Sequence, residues 1–126
     1  MKIGDIGKAV TFVTPEKLAR MWGSGALDVF STPSMIGYME KACVMAIRSE
    51  LEPGFSTVGS AVNVRHLAPS VLGKTIHTQG ELIEIDGRRL VFKVSAWDES
   101  GLIGEGTHER FIINNERFLA KANRQK

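Results

Sequence analysis

The chain has a single cysteine, Cys43, in 126 residues, so no intrachain disulfide can form and a reducing cytoplasm is the expected compartment. Its three histidines and that one thiol never fall in HxH, HxxxH or CxxC spacing, so the usual sequence marks of a metal site are missing and no metal is expected. No apolar run approaches the length of a membrane span, and the N-terminus lacks the apolar region of a signal peptide. Charge of one sign is lacking too. Sixteen basic against fourteen acidic residues leave +2, which makes no electrostatic case for nucleic acid. Only Arg117, Lys121, Arg124 and Lys126 cluster, and they read as a solvated end able to help hold a phosphate-bearing ligand. Neither a P-loop, a GxGxxG nor a GxSxG is present, and the glycines of Gly101-Leu102-Ile103-Gly104-Glu105-Gly106 lie between strands, as hairpin and bulge. Repeats, linkers and low-complexity segments are absent. One domain over residues 1–126 is expected, large enough for a core without staples.

What is present centres on Thr32 to Leu51, TPSMIGYMEKACVMAIRSEL. Pro33 suits a first helical turn, Ser31 or Thr32 can cap it, and Glu52-Pro53-Gly54 stops it. At 100° per residue Met35, Ile36, Met39, Ala42, Cys43, Ala46 and Ile47 form an apolar stripe, widened by Val44 and Met45. The helix is expected to be buried nearly all round. Cys43 lies on the stripe and reads as core rather than nucleophile. Glu40 projects from the edge of the stripe, where a carboxylate needs a partner or water.

Before this helix, Gly7 to Val13 alternates as a strand, and Thr14-Pro15-Glu16-Lys17 caps a short helix through Trp22 that Gly23-Ser24-Gly25 ends. Leu27, Val29 and Phe30 form an apolar approach to the main helix. After it the pattern is strand: Ser56–Leu67, Lys74–Ile85, Arg88–Trp97 and Leu102–Ile113, with a two-residue hairpin signal at Asp86-Gly87. Small residues at Gly59, Ser60 and Ala61 suggest the close approach of another group. The architecture expected is α+β, an antiparallel sheet curled around one helix, with a free face or edge that dimerisation covers.

Among the candidate chemical groups, His77 reads as solvent-facing. His108 stands in Thr107-His108-Glu109-Arg110, four polar residues in an otherwise apolar strand, a pattern that fits a ligand-lined or interface position, with a structural role as the plainer alternative. That leaves a hydroxyl, a carboxylate and an imidazole, Thr32, Glu40 and His66, a set suited to activating water at a polarised carbonyl beside a helix N-terminus.

The segments GYMEKACVMAI, LEPGFSTVGSAVNVRH, EIDGRRLVFKVSAWD and GTHERFIIN, in that order and spacing, resemble the hotdog-fold acyl-CoA thioesterases, closest to their fluoroacetyl-CoA thioesterase-like branch. The resemblance implies a long helix wrapped by an antiparallel sheet, a homodimer (with a dimer of dimers left open), and active sites at the subunit interface. It implies an acyl-CoA substrate and no separate cofactor, coenzyme A being part of the substrate. The family's threonine falls on Thr32, its glutamate on Glu40 and its strand histidine on His66. Its glycine near the thioester falls on Gly59. Glu40 would act as general base or nucleophile, assisted by Thr32 and His66. Pro33 follows Thr32 where the specialised member has a threonine-glycine pair and a phenylalanine-rich approach, so the loop that meets the acyl group differs here. Two other classes compete: a non-catalytic acyl-CoA-binding module, and a hotdog-fold enoyl-CoA hydratase or dehydratase. The latter would need an acid/base pair that Asp28 and Asp86 are badly placed to supply.

Overall fold

The computed structural model describes residues 1–124; Lys126, counted above in the basic cluster, lies outside the described residues. Five strands form one antiparallel sheet in the order β1-β3-β4-β5-β2: β1 Ile6–Phe12, β2 Phe55–His66, β3 Thr75–Asp86, β4 Arg89–Asp98 and β5 Gly101–Asn114. A short helix α1, Ala19–Trp22, precedes the long helix α2, Thr32–Ile47, and a terminal helix α3, Asn115–Arg124, follows β5. None of these helices is long and apolar enough to cross a membrane.

The sheet curls around α2 because alternate residues of its strands present one apolar face. Ile76 and Leu82 of β3, Leu90, Phe92, Val94 and Ala96 of β4, and Ile103 of β5 are buried against Met35, Met39, Ala42, Cys43 and Ile47. Each large side chain sealed there contributes about 1.5–3 kcal/mol. Two glycines set how closely the helix lies. Gly7 and Gly80 are register partners, and a Cβ on them would meet the Ala42 carbonyl at 2.1 Å and the Cys43 Sγ at 2.7 Å. The helix backbone therefore rests on bare strand backbone. Cys43 is sealed beneath it, and burial pushes its thiol up to about 12.

Several expectations are corrected. The α-helix ends at Ile47, not Leu51; Arg48–Glu50 tighten into a 3-10 turn ahead of Pro53. Nor is α2 buried nearly all round. Gly37, Lys41, Met45 and Arg48 face solvent along one side, Met45 being 39 % exposed, because the sheet covers only the opposite face. Ser34 is buried and accepts a hydrogen bond from Trp22 Nε1 at 3.1 Å. The segment read as one short helix is a 3-10 turn, Pro15–Lys17, and then α1, with the extended residue Leu18 between them.

The two sheet edges differ. β1 packs its inner face on α2, while β2 keeps one edge unpaired and has a run of exposed residues from Gly59 to Asn63. Within β2 a bulge between Gly59 and Ala61 leaves Ser60 without a register partner on β5. Ser60 instead donates its hydroxyl to Glu109 Oε2 at 2.8 Å.

Candidate active site

Ser31 accepts the Ser34 N–H at 3.2 Å and so caps α2. That leaves the Thr32 hydroxyl free of capping, and it meets His66 Nδ1 at 2.8 Å. His66 is the last residue of β2, where the chain is held by the Leu67 N–H on the Ile103 carbonyl at 2.7 Å. Among the described residues its buried Nε2 has no hydrogen-bond partner. Burial lowers the His66 pKa from its ordinary value, with the Ala68 backbone partly opposing, so the ring is neutral at pH 7. In the first turn Pro33 has no N–H and Ser34 gives its own to Ser31, while the Thr32 N–H makes no hydrogen bond among the described residues.

Glu40 lies elsewhere. It is eight residues along α2 from Thr32, which is about 12 Å of helix axis. Its carboxylate faces Gly59, Arg110 and His108: Arg110 Nη1 donates to Oε2 at 3.4 Å, and a Cβ on Gly59 would come within 2.9 Å of the same oxygen. The Glu40 side chain is 40 % exposed, against 8 % for Arg110 and 2 % for His108. Arg110 is locked by two further bonds, Nε to Thr57 Oγ1 at 2.8 Å and Nη2 to the Thr57 carbonyl at 2.9 Å. Its Nη1 also lies 3.0 Å from His108 Nε2, and since a guanidinium only donates, that nitrogen accepts. The His108 proton is therefore on Nδ1, which donates to the Ala61 carbonyl at 2.8 Å. A neutral ring agrees with its lowered pKa, for which burial is the main cause and the Arg110 charge a lesser one. The 3.7 Å approach of His108 to Glu40 is thus not an ion pair.

The structure brings Thr32 to His66 and Glu40 to Gly59, as two pairs rather than one trio. Pro33 is exposed at the helix start and shares with Glu40 a hollow of about 570 Å³ that also includes Lys17, Tyr38 and Lys41. A second hollow, of about 430 Å³, opens beside Thr32 and His66 under Leu27, Val29 and Phe30. Met35 and Met39, on the apolar stripe, are sealed in the core and line neither hollow. His77 is exposed on β3. Sequence reasoning did not link His108 and Arg110 to Glu40. Their two-residue spacing on one strand puts them on a shared face, but only the register that pairs Arg110 with Gly59 brings that face to Glu40.

The chain has counterparts among known proteins. The family model for the fluoroacetyl-CoA-specific thioesterase matches residues 13–116. The fluoroacetyl-CoA thioesterase of Streptantibioticus cattleyicolor is 48 % identical over 99 residues, covering 79 % of this chain and 70 % of that one. The chain belongs to the fluoroacetyl-CoA-specific thioesterase family. Membership places it among the acyl-CoA thioesterases. Solved structures of the fluoroacetyl-CoA thioesterase superpose with a TM-score of 0.93 at 37 % identity, covering 100 % of this chain and 98 % of that one. One structure of that enzyme is a threonine-to-serine mutant in complex with acetyl-CoA. A hot-dog-like protein from Thermanaerovibrio acidaminovorans, 22 % identical with a TM-score of 0.90, covers 99 % of this chain and 93 % of that one and shares the fold. The fold is the hotdog, α+β, with α2 as the wrapped helix.

Proposed function

We propose that this protein acts as a single-domain acyl-CoA thioesterase in which Glu40 activates or delivers the attack, Thr32 and His66 bind the reacting group, and Gly59 leaves room beside the carboxylate. The observation that carries this reading is Glu40 itself. Arg110 holds its carboxylate against bare backbone at Gly59 while solvent still reaches it, and the chain belongs to a thioesterase family. In the reaction, water loses a proton to Glu40 as its oxygen bonds to the thioester carbon, and the carbonyl becomes an oxyanion. The free Thr32 N–H at the positive end of α2 is suited to receive that oxyanion. Collapse breaks the C–S bond, and the departing thiolate takes the proton that Glu40 accepted from the water. Direct attack by the carboxylate, giving an anhydride that water opens, uses the same groups.

Because Thr32–His66 and Glu40–Gly59 are about 12 Å apart along one helix, a single copy does not present both to one thioester carbon. A two-fold dimer through the free edge of β2 and the open side of α2 would set the Glu40 of one copy opposite the Thr32–His66 pair of the other. Pro33, which lines the hollow that includes Glu40, would then border the channel by which coenzyme A arrives.

Thiol release from acyl-CoAs tests the reading. Glu40→Gln lowers kcat by roughly 100- to 10,000-fold with the fold retained. Mixing Glu40→Gln with His66→Ala protomers, each inactive alone, then restores about a quarter of wild-type activity, since half the dimers are mixed and each has one intact site. An active Glu40→Gln enzyme refutes the role of the carboxylate, and mixtures that stay inactive refute the shared site.

A further inference from the structure

We infer that the hollow beside Thr32 and His66 is the acyl pocket, and that it takes an apolar, uncharged acyl group well beyond two carbons, of hexanoyl or benzoyl size. The inference rests on the thioesterase reading above and adds the substrate class.

Size is the first ground. The hollow measures about 430 Å³, whereas a dry cavity of about 150 Å³ already accommodates benzene. A two-carbon acyl group would leave most of it to water. Charge is the second: not one lining residue is Asp, Glu, Lys or Arg. The hydroxyl groups at its wall are already engaged. Ser31 and Ser34 hydroxyls bond each other at 2.8 Å, Ser24 reaches the Ala19 carbonyl at 3.4 Å, and Thr32 is paired with His66. A carboxylate-bearing acyl group such as succinyl would enter without a partner for its charge. The neighbouring hollow, by contrast, has Glu16, Lys17, Glu40 and Lys41 in its walls and suits polar groups.

The rim is the third ground. Leu27 is 70 % exposed and Leu67 50 %, and both line the hollow, apolar surface that an acyl chain lying in it would cover. Small residues keep the interior open: Ala19, Gly25, Ala26 and Ala68 line it where larger side chains would fill it. The loop that forms this wall is fastened at its base, by the Phe30 N–H on the Ser70 carbonyl at 2.8 Å and the Ala19 N–H on the Val29 carbonyl at 2.9 Å. Acyl carbon at Thr32–His66 and chain in the hollow is one continuous path.

The test is thiol release from acetyl-, fluoroacetyl-, hexanoyl-, benzoyl- and succinyl-CoA, with wild type and Ala26→Phe, together with calorimetric titration of the same acyl-CoAs into Glu40→Gln. Wild-type kcat/KM for hexanoyl- or benzoyl-CoA is expected to exceed that for acetyl- and succinyl-CoA by at least about tenfold. In Ala26→Phe the hexanoyl-to-acetyl ratio falls by about tenfold, and the melting temperature reports its folding. Highest kcat/KM on acetyl- or fluoroacetyl-CoA overturns the pocket assignment and leaves the thioesterase reading standing. Absence of thiol release from every substrate overturns the thioesterase reading. In that event affinity that rises with acyl length keeps the pocket, and affinity indifferent to length overturns it as well.

Discussion

Gly59→Ala separates positioning from stability. The added methyl would lie 2.9 Å from Glu40 Oε2, 3.1 Å from His108 Cε1 and 3.4 Å from Arg110 Nη1. His108 and Arg110 are locked by the Ala61 and Thr57 backbones, so neither can retreat. Glu40 can, because its carboxylate is the end of a flexible, partly exposed side chain. The methyl therefore displaces the carboxylate by several tenths of an ångström at small cost to the fold. On the stability side, the alanine restricts the unfolded chain, which favours folding by about 0.4–1 kcal/mol and offsets the crowding. The backbone at Gly59 is not in the left-handed region, so no strain is added there. A misplacement of about 1 Å costs up to 100-fold in rate, so this smaller one is expected to lower kcat by roughly three- to tenfold. The assay is steady-state thiol release alongside a denaturant titration. Full kcat in Gly59→Ala, or a stability loss above about 3 kcal/mol, would refute the argument: the first means Glu40 does not react from this position, the second that the neighbours and not Glu40 absorb the methyl.

Thr32→Val removes the hydroxyl on His66 but leaves Ser31 as the helix cap, so turnover is expected to fall about tenfold or more while stability changes by less than about 1 kcal/mol; equal loss in both would make Thr32 a structural residue. Met39→Ala, in the sealed face of α2, lowers unfolding free energy by about 2–5 kcal/mol in urea titrations, and a loss below 1 kcal/mol would place Met39 outside the core. His66 and His108 both have lowered pKa values in the fold, so below about pH 6.5 the unfolded chain binds protons there that the folded one refuses. Stability contributed at neutral pH is thus lost as pH falls from about 6.5 toward the folded values, and His108→Gln flattens that decline; an unchanged slope in the variant would exclude His108 as a source.

The fold was largely legible in the sequence. The 3.6-residue stripe of α2 and the alternation of β3 and β4 are local patterns, and they survive because burial agrees with them; the hairpin turn falls on Gly87-Arg88, one residue beyond the Asp86-Gly87 expected, because Asp86 still pairs with Arg89. What is not local was not legible. Nothing in the composition of Gly7 and Gly80 says that they pair and bear the helix. Nor does the pattern of α2 say which side is left open, because that depends on how far the sheet wraps. The candidate site divides the same way. Resemblance pointed to Thr32, Glu40, His66 and Gly59, but the helical distance between Thr32 and Glu40 acquires its meaning only when His66 and Gly59 are seen at separate points along β2. His108 and Arg110 were noticed as residue types; their hold on Glu40 follows from strand register, which pairs Arg110 with Gly59.

The sealed thiol under Gly80 has a consequence for an enzyme whose product is itself a thiol. Coenzyme A released at the site meets no partner for disulfide exchange, because Cys43 is wholly buried and at a pKa of about 12 has almost no thiolate. Product therefore cannot accumulate as a mixed disulfide on the folded chain, and oxidation of the coenzyme A pool leaves the protein untouched. A chromogenic thiol reagent reads turnover with no contribution from the native enzyme, and the same reagent, with no substrate present, counts the molecules that have opened far enough to lift α2 from the sheet.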